Sequence, residues 1–204
     1  MKKLLFLIIA SSFLYAVNYD KDCDKGNVNA CYMAGLEYQK QGDIYEAAKK
    51  FALGCPANKK KNLNSCNDAG FSYQELGEYT LATTYYEIAC NENWALSCYN
   101  LGYNYENGFG RYPNIQAAEE FYEKACYNKN GYYPACGNLA KIFMQQYKTA
   151  ESKQAAEHGC KHNDGLSCHN LGVIYYAVYK DYNMANHFYQ KACNIGFKES
   201  CNYF

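Results

Sequence analysis

The chain has 204 residues, 20 of them Lys or Arg and 20 Asp or Glu, so its formal net charge is zero. With Lys2 and Lys3 set aside, 18 basic residues face 20 acidic ones, and the chain lacks the basic stripe that binding nucleic acid or an anionic membrane requires. Its 12 cysteines and 24 tyrosines are the compositional departures.

Residues 1–16 carry two lysines, an apolar run from Leu4 to Ala10, then Ser11-Ser12 and a small residue at Ala16. This is the pattern of a secretory signal peptide, too short to span a bilayer. Cleavage is expected after Ala16. No cysteine sits at the cut, so no lipid anchor is expected, and no later segment is apolar enough to be a membrane anchor. Residues 17–30 are too short for a repeat and are expected to cap the array that follows.

The stretch Cys98–Cys126 reads as one helix–turn–helix unit. From Cys98, Leu101, Gly102 and Tyr105 fall on one helical stripe. Asn107, Gly108 and Gly110 end that helix, Pro113 marks the connection, and Ala118, Phe121, Tyr122 and Ala125 line a second amphipathic run. The unit recurs at Cys31, Cys66, Cys98, Cys136, Cys168 and Cys201, with intervals of 35, 32, 38, 32 and 33 residues. A small residue stands four positions on (Gly35, Gly70, Gly102, Ala140, Gly172), and an aromatic, expected in the core, seven on (Tyr38, Tyr73, Tyr105, Phe143, Tyr175). The second helices close on Cys55, Cys90, Cys126, Cys160 and Cys193. Four residues before those cysteines stand Phe51, Tyr86, Tyr122, Ala156 and Tyr189. Such a period indicates an all-α solenoid of five repeats, residues 31–55, 66–90, 98–126, 136–160 and 168–193, capped by 194–204. The fourth repeat has a polar, alanine-rich second helix and is expected to pack most weakly.

The cysteines fall into local pairs: Cys23–Cys31, Cys55–Cys66, Cys90–Cys98, Cys126–Cys136, Cys160–Cys168 and Cys193–Cys201. Export makes disulfides the default. A helix of eight residues rises about 12 Å, whereas bridged Cα atoms lie about 4.4–6.8 Å apart, so the chain must reverse between partners. The turn-rich segments DKGNVNA, NENWALS and KHNDGLS permit that. Structural zinc favours cysteines two to four residues apart, which none of these pairs shows, so no metal and no cofactor is expected.

The pattern C-x-N-L-G-x-x-Y…A-A-x-x-F-Y-x-K-A-C resembles the Sel1-like branch of the tetratricopeptide superfamily. With the paired cysteines and the leader, it is similar to the Helicobacter cysteine-rich protein family. That resemblance covers residues 23 to 201. It implies a secreted or periplasmic right-handed superhelix with a concave groove lined by the first helices. It also implies penicillin binding, slow β-lactam hydrolysis and interaction with host proteins.

The residues themselves supply no catalytic motif. Ser-x-x-Lys and Ser-Asp-Asn are absent, and Lys148-Thr149-Ala150 is a faint echo of Lys-Thr-Gly. The four histidines are His158, His162, His169 and His187. His158 and His162 stand at a helix end, need not share a face, and read as solvated turn residues.

A binding face has more support. Five positions after each opening cysteine stand Leu36, Phe71, Tyr103, Lys141 and Val173, mostly apolar where a solvated face would be polar. Two positions after stand Asn100, Asn138 and Asn170, with Asn104 at the sixth position of its repeat. Asparagine offers a donor and an acceptor, suited to a peptide backbone or an amide-rich glycan. The same asparagines also suit local capping, and the fifth-position residues also suit packing on the next repeat. The ligand-binding candidates are therefore Phe71, Asn100, Tyr103, Asn104, Asn138 and Asn170. The expected partner is a peptide, a protein or a peptidoglycan fragment, and the alternative is a slow β-lactamase or penicillin-binding protein.

Overall fold

The structure is a computed structural model and describes residues 19–57 and 59–203. The expected signal peptide lies outside the described residues. Among these residues no strand occurs. The helices are α1 (residues 19–24), α2 (Val28–Lys40), α3 (Ile44–Leu53), α4 (Leu63–Glu75), α5 (Tyr79–Asn91) and α6 (Ala95–Asn107). They continue as α7 (Ile115–Cys126), α8 (Pro134–Gln145), α9 (Thr149–Lys161), α10 (Gly165–Ile174) and α11 (Tyr182–Asn194). A π-helical turn, Tyr175–Tyr179, extends α10, and a 3-10 turn, Lys198–Asn202, follows α11.

Helix boundaries follow local chemistry. The side chains of Asn27, Asn62 and Asp164 accept hydrogen bonds from first-turn N–H groups of α2, α4 and α10. Asp43, Asn114 and Asp181 do the same for α3, α7 and α11. Each cap satisfies a donor that has no partner inside its helix and contributes about 1 kcal/mol. These caps lie upstream of the cysteines. Consequently α2, α4 and α10 begin three residues before Cys31, Cys66 and Cys168, not at them, and α6 begins three before Cys98 without a side-chain cap. The turns need left-handed backbone. Gly42 and Gly77 supply it cheaply, whereas Asn93, Tyr147, Asn163 and Lys180 adopt it with φ between 57° and 62°.

The chain forms two compact units. The first takes residues up to Glu92 together with Phe109–Tyr112; the second takes Asn93–Gly108 and the residues from Pro113 onward.

In the first unit α3 packs on both α2 and α4. Its core holds Phe51 and Tyr86, fully buried beside Ala47, Ala69 and Ala82. Phe51 fills the space over Gly35, and Tyr86 fills the space over Gly70. The Cys23–Cys31 bridge ties α1 to α2. Tyr38 Oη donates to Asp20 Oδ2 at 2.9 Å, and Lys50 pairs with Asp20 Oδ1 at 2.8 Å. Phe109 stacks on Tyr79 with ring centroids 4.9 Å apart, and Arg111 pairs with Glu87 at 2.7 Å.

In the second unit α7 packs on α6 and α8, and α9 packs on α8 and α10. Tyr122 lies over Gly102 and Tyr189 over Gly172, repeating the glycine–aromatic pairing of the first unit. The fourth repeat solves the same problem with small residues. Ala140 and Ala156 are both fully buried, and Ser152 Oγ donates to the Ala140 carbonyl at 2.8 Å.

The seventh-position aromatics differ from expectation. Only Phe143 is buried; Tyr38, Tyr73, Tyr105 and Tyr175 are half-buried. Tyr73 stacks on Tyr85, Tyr105 on Phe121 and Tyr175 on Phe188, each pair with centroids 5.4 Å apart. A tyrosine at the rim of a hairpin buries its ring face while its hydroxyl reaches water.

The bridges Cys55–Cys66, Cys126–Cys136, Cys160–Cys168 and Cys193–Cys201 have Cα separations of 4.9, 4.9, 4.6 and 5.0 Å, and Cys23–Cys31 has 4.4 Å. Cys90 and Cys98 are disulfide-bonded as well. Four of these bridges join one helix end to the first turn of the next helix, and Cys193–Cys201 ties the end of α11 to the 3-10 turn that follows it.

Candidate functional site

The expected binding residues separate into two groups. Phe71 on α4 is 44% exposed and Tyr103 on α6 is 40% exposed. Each ring stands on a helix whose opposite stripe is fully buried through Cys66, Ala69 and Gly70 in α4, or Cys98, Leu101 and Gly102 in α6.

The asparagines behave differently. Asn170 Nδ2 donates to the backbone carbonyl of Gly137 at 2.9 Å. Asn138 lies beside the hydroxyls of Tyr99 and Tyr122, where its amide opposes the rise that burial causes in both. Both side chains reach back to the preceding repeat, so they join repeats to one another. Asn104 is 1% exposed and belongs to the interior. The sixth position is buried in four of the five repeats, where Ser72, Asn104, Ile142 and Ile174 are all at 1% or below, while Glu37 in the first repeat is half-buried. A helix such as α8 is covered by α7, α9 and α10, leaving a narrow open strip at the fifth position, not the broad face that helical periodicity suggests. Asn100 is half-buried on α6.

A polar network joins α6, α7 and α8. Tyr122 Oη donates to Glu106 Oε2 at 2.8 Å, and Lys141 Nζ donates to Glu106 Oε1 at 2.7 Å. Burial first, then this bond to Glu106, pushes the Tyr122 hydroxyl far up from its ordinary range. In the first unit Asp68 holds the position that Asn138 and Asn170 hold in the second. Burial raises its carboxyl from the ordinary carboxylate value, while Asn67 Nδ2 donates to it at 3.0 Å.

No serine nucleophile is presented. Ser65, Ser72, Ser97, Ser152, Ser167 and Ser200, all the serines among the described residues, are at 1% exposure or less. His169 Nδ1 lies 2.8 Å from Ser200 Oγ, yet Ser200 is fully buried, and the rings of Tyr189, Phe197 and Tyr203 surround the imidazole. Burial holds His169 below its ordinary value, so the ring is neutral near pH 7. These residues close the C-terminal end of the second unit.

His158 and His162 are brought together; His162 is an exposed turn residue as read, whereas His158 is half-buried within α9. Their ring centroids lie 5.2 Å apart, and His162 stacks on Tyr133 at 3.8 Å with the rings 2° from parallel. α9 runs through Lys161, so residues four apart share a face even though Cys160 stands between them.

Residues 95–130 and 163–197 match the Sel1 repeat family. The Xenopus tropicalis cytochrome c oxidase assembly factor 7 is 32% identical over 126 residues, 55% of this chain and 54% of that protein. The chain thus spans about half the length of the curated relatives it matches. Among solved structures, a protective antigen of uropathogenic Escherichia coli displaying an SLR fold superposes with a TM-score of 0.75 at 22% identity, covering 91% of this chain and 42% of that one. A Sel1 repeat protein from Oxalobacter formigenes gives 0.68 at 22% identity, covering 83% and 70%. The fold is the one these structures share.

Proposed function

We propose that this Sel1-repeat chain is an exported scaffold whose units each bind a peptide segment, carried by a protein or by a cell-wall fragment, at an exposed ring on a first helix. The observation that carries this reading is the exposure of Phe71 and Tyr103, one ring in each unit, at equivalent repeat positions on otherwise packed helices. An exposed aromatic held on a rigid helix offers an apolar side chain a platform at little entropic cost. Export is supported by the paired cysteines, by the lysine-led apolar leader and by the resemblance to the Helicobacter cysteine-rich proteins. Every described serine is buried, which favours binding over acyl transfer through serine.

The test is binding of an immobilised library of extended peptides and muropeptides by the oxidised protein. Phe71→Ala and Tyr103→Ala are each expected to weaken the best binders about tenfold, roughly 1.4 kcal/mol, with helical circular dichroism unchanged. Binding that survives both substitutions would place the contact elsewhere.

A further inference from the structure

Among the measured bridges, Cys126–Cys136 alone has an imidazole against it. The two Sγ atoms and a ring nitrogen of His158 all lie within 4.8 Å of one another, the one such trio of His, Cys, Asp or Glu ligand atoms among the described residues. His158 is held in place from several sides. Tyr127, Tyr133 and His162 flank the ring at centroid distances of 5.1, 5.7 and 5.2 Å. A neutral imidazole always carries a lone pair on one ring nitrogen, the atom that a metal takes.

Cysteines enter any chain as thiols, so a dithiol state precedes the bridge. We propose that in this state Cys126, Cys136 and His158 bind one borderline-soft divalent cation, with Zn²⁺ as the type, and that disulfide formation expels it. Two thiolates and an imidazole form a tetrahedral donor set with one position left for water or His162. Metal–sulfur bonds of about 2.3 Å at tetrahedral angles require the sulfurs to stand about 3.8 Å apart. The Cα atoms, 4.9 Å apart, already allow that separation by rotation of the two side chains. Binding the cation to the two thiols releases two protons. Expulsion uses a disulfide oxidant: its S–S bond breaks to two thiolates, the Cys126–Cys136 bond forms, and the cation leaves. A spacing of ten residues hides this set from the short-spacing rule for zinc; the turn between α7 and α8 gathers it instead.

The experiment takes the full chain through limited reduction by a dithiol, with the fraction of Cys126–Cys136 opened read by alkylation and mass spectrometry. Co²⁺ is then added, and Zn²⁺ as competitor. The expected result is a thiolate-to-cobalt charge-transfer band that scales with that fraction, is displaced by Zn²⁺, and is absent from oxidised protein. His158→Ala should lower Co²⁺ affinity at least about tenfold, and Cys126→Ser with Cys136→Ser should abolish the band at the same reduction of the other pairs. Helical circular dichroism of each oxidised variant reports whether it folds, and His158→Gln replaces His158→Ala if it does not. The proposal is overturned by equal binding in wild type and the His158 variant, by a band that survives in the double serine variant, or by a bridge that opens only with loss of helicity.

Discussion

Gly70→Ala tests the packing rule that recurs through the array. A methyl group on Gly70 would lie 2.5 Å from Tyr86 Cε1 and 2.6 Å from Cδ1. Carbon atoms in favourable contact stand about 3.5–4.0 Å apart, so ring or helix must shift by about 1 Å. Tyr86 is 1% exposed and has no space to yield. Overpacking of this kind costs about 2 kcal/mol, and the better helix propensity of alanine returns about 1 kcal/mol, leaving a net loss of about 1 kcal/mol. Once Tyr86→Ala has removed the ring, itself costing about 3–5 kcal/mol, Gly70→Ala should become stabilising by about 1 kcal/mol. The expected coupling is therefore about 2 kcal/mol. Gly102, whose nearest Tyr122 atom would be 2.9 Å away, should tolerate alanine better. Repeat arrays open unit by unit, so native-state hydrogen exchange of α4 and α5 is the suitable assay. A coupling below about 0.5 kcal/mol would refute the glycine–ring interlock.

Tyr147 holds φ at 60° with its ring 93% exposed, so Tyr147→Gly should stabilise the turn between α8 and α9 by about 0.5–1 kcal/mol in urea unfolding. Burial lowers the His169 pKa in the folded chain, with Glu199 opposing it, so the unfolded chain takes up the proton first. Stability from this group is therefore complete above the ordinary value of 6.5 and is lost as the pH falls through it toward the folded value. Urea midpoints between pH 8 and pH 5.5 should show the decline, and His169→Gln should flatten it. His158, also lowered by burial, keeps a residual slope of the same sign.

The repeat period, the hairpins and the cysteine pairs were legible because each rests on spacing along the chain. A glycine four residues after one cysteine and an aromatic four before the next define a knob and its socket, and Gly35–Phe51, Gly70–Tyr86, Gly102–Tyr122 and Gly172–Tyr189 meet as that spacing implies. Faces were harder to read. Helical periodicity divides a helix into packed and open sides, but α8 is covered by three neighbours, which buries Ile142. Asn138 and Asn170 looked equally suited to a ligand and to capping, and the groups beside them, Tyr99, Tyr122 and the Gly137 carbonyl, lie a full repeat or a helix away. The imidazole beside Cys126–Cys136 was missed for the same reason, since a fixed cysteine spacing says nothing about a histidine twenty-two residues further on.

The most direct test of the division between binding rings and repeat-joining asparagines measures ligand affinity and thermal midpoint together in two double variants. Phe71→Ala/Tyr103→Ala should lose binding and keep its midpoint, because both rings are substantially exposed. Asn138→Ala/Asn170→Ala should lose a few degrees, with about 1 kcal/mol for the lost hydrogen bond from Asn170 to the Gly137 carbonyl, and keep its affinity. The opposite pattern, with binding lost only in the asparagine variant and stability only in the aromatic one, would contradict the proposed site.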